Sequence, residues 1–243
     1  MPNTKTKATA LDHMIVALAR EVIPDEVTFN GVNSIIPMVA IEVARRTGRV
    51  PSTYINIAGG VDTTISEMPR STSSSLLLEG SAVIFPNEEF YDLCARGGVD
   101  LVFLGAAQID SHGRTNVSAI GDYHNPKVRL PGGGGASVLM PTAKRVVVWR
   151  TEHSPRALTK KLDFITSAGN VDSVVTPLCI FKRVNGRLQV KSVYSSTTLD
   201  EVVKQTGFEI DVTREIEILE PNKEELAAME EVDPKGVRFL DWK

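Results

Sequence analysis

The chain has 243 residues, of which 42% are hydrophobic, 23% charged and 6% aromatic, a balance that fits one large α/β domain (residues 1–243) with an aliphatic core. Its 27 Lys and Arg against 30 Asp and Glu leave a net charge of −3, without the basic surplus of a nucleic-acid binder. No apolar run spans a bilayer, no signal-peptide core is present, and the two cysteines, Cys94 and Cys179, form neither a disulfide framework nor a metal motif, so a cytoplasmic protein is expected.

The first dozen residues are polar and read as frayed. Leu11, Met14, Ile15, Leu18 and Ala19 follow the spacing of a helix that ends at Pro24, and VTFN reads as a short strand. A second apolar helix is expected around Ile35–Arg46, then a buried strand over Val50–Ile57 that runs into Gly59-Gly60. The polar segment Ser66–Ser75 reads as an ordered loop or a mobile linker, with a strand-like LLLEGSAVIF after it. A helix over Pro86–Ala95 stops at Gly97-Gly98, and the apolar strand Val99–Leu104 follows. From Gly105 to Ser137, 33 residues show almost no periodicity, yet they lie between two buried strands, the second being Lys144–Trp149. Such a stretch inside a compact domain is functional more readily than disordered. Residues 178–194 read as a hairpin turning at Asn185-Gly186 and adding an antiparallel edge. Leu199–Thr206 reads as a short helix, Glu215–Leu219 as a last strand, and the acidic tail PNKEELAAMEEVDPKG as one solvated helix. Strands alternating with helices imply an open, mostly parallel sheet with helices on both faces.

Three constellations are candidates for chemistry. Gly132, Gly133, Gly134 and Gly135 follow Pro131, and a run without Cβ atoms either converges N–H groups on an anion or acyl oxygen, or is a flexible turn. Residues 105–130 gather Gln108, Asp110, His112, Asn116, Asp122, Tyr123, His124, Asn125, Lys127 and Arg129 just after a strand. These side chains either line a ligand site or hydrogen-bond the loop itself, and Asp122 with His124 is either an acid/base pair or a structural one. Asp62, after Gly59-Gly60-Val61, either binds a ligand or caps a turn. The four histidines, 13, 112, 124 and 153, lack metal-ligand spacing, and no metal is expected.

Residues 97–136, GGVDLVFLGAAQIDSHGRTNVSAIGDYHNPKVRLPGGGGA, resemble the β-subunit half of family I CoA-transferases of the glutaconate CoA-transferase type. The likeness extends to Glu67–Ser71 (EMPRS), to Lys161–Ser167 (KLDFITS) and to the tail at 206–221. It implies an open α/β sheet with a glycine-rich site at an α/β subunit interface. The family's nucleophile is a β-subunit glutamate beginning an E-[SN]-G motif after a strand, and the matching positions here are Ile57, Ala58 and Gly59. Isoleucine forms no acyl-enzyme. This departure resembles most nearly the β subunits of the actinobacterial steroid ring-cleaving hydrolases, CoA-transferase homologues whose catalytic carboxylate is implied to lie in the α subunit. The resemblance implies a partner α subunit, α2β2 assembly, an acyl-CoA substrate and no cofactor beyond the CoA of that substrate. It places the N–H groups of Gly132–Gly135 on the thioester oxygen or the CoA. Asn33 reaches the cleft or caps a helix, and Ile57 makes apolar wall. Asp62, Arg70, Gln108, Asp110, Tyr123 and His124 line the substrate or shape loops. A transferase using Asp62 or Glu67 instead, and a non-catalytic scaffold, are the competing readings.

Overall fold

A computed structural model describes residues 8–51, 53–212 and 215–242. The expected fraying of the N-terminus lies outside the described residues as far as residue 7. Helices α1 (Ala10–Glu21) and α2 (Ile35–Arg46) flank strand β1 (Val27–Asn30). Thr9 and Asp12 form a reciprocal cap at the start of α1, satisfying two of its orphan N–H groups. Strand β2 (Thr53–Asn56) turns sharply into β3 (Gly60–Val61). The serine-rich segment is an ordered loop, with Met68, Pro69 and Thr72 buried. LLLEGSAVIF is mostly not a strand: Ser75–Leu78 is a 3-10 turn, and only β4 (Val83–Ile84) is extended. Then come α3 (Asn87–Ala95) and β5 (Leu101–Gly105).

The long aperiodic stretch is built of two small hairpins, β6 (Gln108–Ile109) with β7 (Thr115–Asn116) and β8 (Ala119–Gly121) with β9 (Pro126–Arg129). Helix α4 (Ala136–Thr142), strand β10 (Arg145–Trp149) and strand β11 (Val171–Val175) follow, and neither α4 nor β11 is marked by the sequence pattern. The expected hairpin is β12 (Cys179–Val184) with β13 (Arg187–Tyr194), and Asn185 and Gly186 both take positive φ, as its tight turn requires. Helix α5 (Leu199–Gln205), strand β14 (Glu217–Leu219) and helix α6 (Lys223–Val232) complete the order.

The main sheet has ten strands in the order β14-β13-β12-β11-β10-β5-β1-β2-β3-β4. Its centre, β11-β10-β5-β1-β2, is parallel throughout. The hairpin is antiparallel but is not the edge, because β14 pairs in parallel with the outside of β13. Alternate residues of each central strand face opposite sides. Leu101, Phe103 and Val147 join the core under α1, α2 and α6, while Val102, Leu104, Val146 and Val148 join the core under α3, α4 and α5. Helix α2 is buried from Ile35 to Ala44, as suits a helix apolar on every side. The acidic tail is only partly solvated: Glu225 is buried, and the Arg20 guanidinium donates to both its carboxylate oxygens at 2.7 and 2.8 Å.

The amino ends of the parallel strands are tied together by charge. Arg145 at the start of β10 donates to Glu26, just before β1, at 2.9 and 2.6 Å, and lies 3.7 Å from Asp172 in β11. Lys144 pairs with Asp100, whose other oxygen takes the Val27 N–H at 2.7 Å. Among the described residues no helix is long and apolar enough to cross a membrane.

Candidate active site

The opposite, carboxyl ends of β1, β2, β5 and β10 open into a cavity of about 890 Å³. From β1 the chain winds outward to β2, then returns to the other side of β1 as β5 and continues outward to β10. Neighbouring strands therefore send their connections in opposite directions, which opens the crevice where α/β sheets bind ligands. Each strand end contributes to the wall: Phe29 in β1 with Val32 and Asn33 after it, Ile57 after β2, Leu104 and Gly105 ending β5 with Ala106 and Ala107 after it, and Trp149 ending β10 with Arg150 to Glu152 after it. The glycine run, Tyr91 of α3, Leu139 of α4 and Leu240-Asp241 near the C-terminus close it.

Ile57 directly follows β2 and packs, half-buried, against the apolar cluster that contains Phe29, Leu104 and Leu139. Its position is fixed by Asn56, which is 2% exposed. The Asn56 amide nitrogen donates to Thr63 Oγ1 and to the Leu77 carbonyl, while its oxygen accepts the N–H groups of Ala58 and Gly60. Gly60 permits this turn because a Cβ there would fall 2.3 Å from the Leu77 carbonyl oxygen. The residue that pins Ile57 is thus its neighbour, which sequence reasoning did not single out.

In the glycine run, Gly132 and Gly134 take φ of 92° and 48°. The Gly132 N–H donates to the Val117 carbonyl at 2.7 Å and is therefore occupied. The N–H groups of Gly133, Gly134 and Gly135 have no acceptor among the described residues. Tyr91 stands over this loop: a Cβ on Gly135 would lie 2.6 Å from its hydroxyl oxygen. The Tyr91 ring meets Phe90 edge-on, and Phe90 stacks on Phe29 at 4.2 Å, so the phenol is held by packing. Three free amide donors and one phenolic hydroxyl in a largely apolar cavity are suited to an acyl or enolate oxygen.

Of the residues singled out from sequence, Asn33, Ile57 and Gly132–Gly135 line the cavity, and the others lie outside its wall. Asn33 is not the N-cap of α2; Ser34 is, and the Ile35 N–H is taken at 2.9 Å by Asp241. Asp62 sits at φ 50° and accepts the Tyr54 N–H at 2.7 Å, which makes it the clamp of the β2–β3 turn. Glu67, the other substitute carboxylate, pairs with Lys235 at 2.6 Å on the surface. Arg70 is exposed in its loop. Gln108, buried, bridges Asn116 and Asp163. Asp110 accepts from the backbone of His112 and Arg114 and from the Arg114 side chain. The Asp122 carboxylate takes the backbone N–H groups of Asn125 and His124, which hold its pKa down, so it forms a turn rather than pairing with the imidazole. Tyr123 stacks on Phe164 at 4.3 Å, with His124 edge-on to it and the Arg129 guanidinium 4.9 Å from its ring centre.

The carboxylates in the wall are Glu152 and Asp241. Burial works against an ionised Glu152, but hydrogen bonds from Ser154, Arg156 and Arg150 outweigh it and hold its pKa at about 2. Burial raises the pKa of Asp241, against the opposing backbone N–H groups of Ile35 and Ile36.

Comparison with known proteins agrees with this geometry. The coenzyme A transferase family model matches residues 11–205. The chain is 32% identical over 247 residues to one of the subunits of the 3-oxoadipate CoA-transferase of Pseudomonas knackmussii, covering 94% of this chain and 91% of that protein. It is 27% identical over 205 residues to the cholesterol ring-cleaving hydrolase IpdB subunit of Rhodococcus jostii, covering 67% of this chain and 77% of that one. The crystal structure of the decarboxylase AibA/AibB superposes with a TM-score of 0.89 at 27% identity, covering 96% of this chain and 98% of that one. With the family pattern matched over most of its length, its fold shared and its cavity placed at the strand ends, the chain belongs to the coenzyme A transferase family, as a β-type subunit.

Proposed function

We propose that the chain is the β subunit of a heteromeric hydrolase that opens the ring of a steroid-derived cyclic β-keto acyl-CoA, with the catalytic carboxylate supplied by an α subunit in an α2β2 assembly. The carrying observation is that Ile57, the position the sequence resemblance matches to the family's glutamate, follows β2 and puts an alkyl side chain in the cavity wall. Neither Asp62 nor Glu67 lines the cavity, which weighs against a transferase that has moved its nucleophile. Two relatives, a ring-cleaving hydrolase subunit and a decarboxylase, carry names that denote C–C bond breaking rather than CoA transfer.

The mechanism follows from these parts. A carboxylate of the partner takes a proton from water, and the oxygen adds to the ring ketone. The tetrahedral oxyanion collapses with cleavage of the bond between the carbonyl carbon and the carbon α to the thioester. Its electron pair passes into the thioester enolate, and a proton then returns to that carbon, leaving a ring-opened carboxylate. The free N–H groups of Gly133–Gly135 stabilise the enolate oxygen, where loss of one donor costs about 3–4 kcal/mol of barrier. Phe29, Ile57, Leu104 and Trp149 supply apolar wall to a carbocycle.

The test uses the complex co-expressed with its α subunit, cyclic and linear β-keto acyl-CoAs and oxygen-labelled water. Label in a ring-opened product, with no CoA moved to an added acid, is the expected result. Borohydride treatment during turnover should leave the mass of this chain unchanged, and a reduced glutamyl or aspartyl residue on it would overturn the reading.

A further inference from the structure

Taking the cavity as the acyl-CoA site proposed above, we infer that Asp241 is a catalytic residue of this chain: its carboxyl delivers the proton to the carbon α to the thioester once the C–C bond has broken. Asp241 follows a segment that is tied down on both sides. Gly236 takes φ 68° and opens the 3-10 turn Val237–Leu240. Buried Asp233 accepts the N–H groups of Val237 and Arg238 at 2.7 and 2.9 Å, and the buried Arg238 guanidinium donates back to it at 3.2 Å. Beyond Asp241, Trp242 packs against the core under α1 and α2. The Asp241 carboxylate reaches the start of α2, where its Oδ2 accepts the Ile35 N–H at 2.9 Å, while the N-cap Ser34 makes no side-chain cap bond.

A helix cap asks only for a polar oxygen, which Ser, Thr or Asn supplies without a charge. Asp241 instead puts a carboxyl, half-buried, into the wall of a largely apolar cavity, with no guanidinium or ammonium beside it among the described residues. Burial raises its pKa against the opposing Ile35 and Ile36 N–H groups, so it holds a proton more readily than an ordinary aspartate. Glu152, in the same wall, is occupied by Ser154, Arg156 and Arg150 and stays ionised. Environments that push two carboxyl groups of one cavity apart divide their roles, and Asp241 is the one able to give a proton. In the step itself the enolate electron pair becomes the new C–H bond as the Asp241 O–H bond breaks, and the thioester carbonyl is restored. Asp241, left ionised, regains a proton from solvent, to which the partner carboxyl and the new carboxylic acid release theirs.

The same enolate is reached from the other direction by removing the α-hydrogen of a simple acyl-CoA, a step that needs no ring opening. The co-expressed αβ complex is therefore incubated in deuterated water with cyclohexanecarboxyl-CoA and with butyryl-CoA, and α-deuterium is read by mass spectrometry. The parent complex should exchange at least one of them. Asp241→Asn, which keeps an oxygen for the Ile35 N–H, should exchange ~100-fold more slowly, within the range for loss of a general acid or base, at a melting point within a few degrees of the parent. Absence of exchange in the parent complex would overturn the assignment, as would a rate in Asp241→Asn within about 2-fold of the parent. Exchange lost in Tyr91→Phe but kept in Asp241→Asn would overturn it by moving the proton to the phenol. A melting point that falls together with exchange, or dissociation of the Asp241→Asn complex in light scattering, would overturn it by making Asp241 a structural cap or a subunit contact. Exchange that depends on Asp241 in a complex that opens no cyclic β-keto acyl-CoA would sink the hydrolase reading and leave the proton donor standing.

Discussion

At the scale of single residues, the proposed function turns on Ile57, whose alkyl side chain stands in the cavity wall directly after β2. Ile57→Glu should abolish ring opening and leave at most traces of thioester adduct. A carboxyl among Phe29, Leu104 and Leu139 is desolvated and driven toward its neutral, poorly nucleophilic form. Mass spectrometry after borohydride and a CoA-transfer assay check this, and full transferase activity in the single variant would refute it. Gly135→Ala is a second probe. Gly135 lies in the right-handed helical region, so alanine brings no backbone strain, but its Cβ would displace the Tyr91 hydroxyl. Turnover should fall ~10-fold or more, with a melting point within a few degrees of the parent, and an unchanged kcat would remove Tyr91 from the site. Ile57 and the glycine run were legible because they occupy positions in a contiguous motif. Tyr91, Arg150, Glu152 and Asp241 come from a helix, a strand end and the C-terminus, and only the tertiary fold brings them to one cavity. For Asp122 and His124 the structural alternative holds: their closeness in sequence serves a local turn.

At the scale of elements, the β2–β3 turn depends on one side chain. Asn56→Ala strips the acceptor from the Ala58 and Gly60 N–H groups inside the protein and should lower stability by about 2–4 kcal/mol in urea unfolding. A loss below about 0.5 kcal/mol would show that the turn holds Ile57 without it. The segment after β10 gives a pH dependence. His153 places its ring nitrogens 2.7 Å from Thr176 Oγ1 and 3.0 Å from Thr206 Oγ1, and burial lowers its pKa from 6.5 to about 4. The unfolded chain therefore binds the proton more readily, and stability is complete above pH 6.5 and lost as pH falls from there through 4. The urea midpoint should drop across that window, and more shallowly in His153→Gln; identical slopes would exclude this origin. The same contrast of local and distant forces governs which elements the sequence revealed. Helices α1 and α2, the central strands and the hairpin at Asn185-Gly186 follow from apolar spacing and turn chemistry. Strand β11 has Asp172 and Ser173 in mid-strand, where Ser173 is buried on Glu21, so its pattern is not that of an apolar strand. Helix α4 starts on glycine and contains Pro141, both poor local signals, and its packing with α3 and β5 sets its shape.

At the scale of the whole molecule, the cavity carries donors and apolar wall but no group assigned to activate water, so the isolated chain should neither transfer CoA nor hydrolyse acyl-CoA. Activity should appear on addition of the α subunit, with a larger mass in light scattering and with slower hydrogen exchange at Gly133–Gly135. Robust turnover without a partner would end the two-subunit account. The ion pairs around Arg145 lie at the far end of the same strands, where Glu26, Asp172 and Asp100 bolt the sheet together. Folding and chemistry are thereby assigned to opposite ends of one sheet. Substitutions at the bolted end threaten the fold whatever reaction the protein performs, whereas those at the open end alter what it does while the strands stay anchored. Side chains at the open end can therefore be exchanged without unfastening the strands, and an alkyl group at Ile57 is the kind of wall residue such a scaffold tolerates.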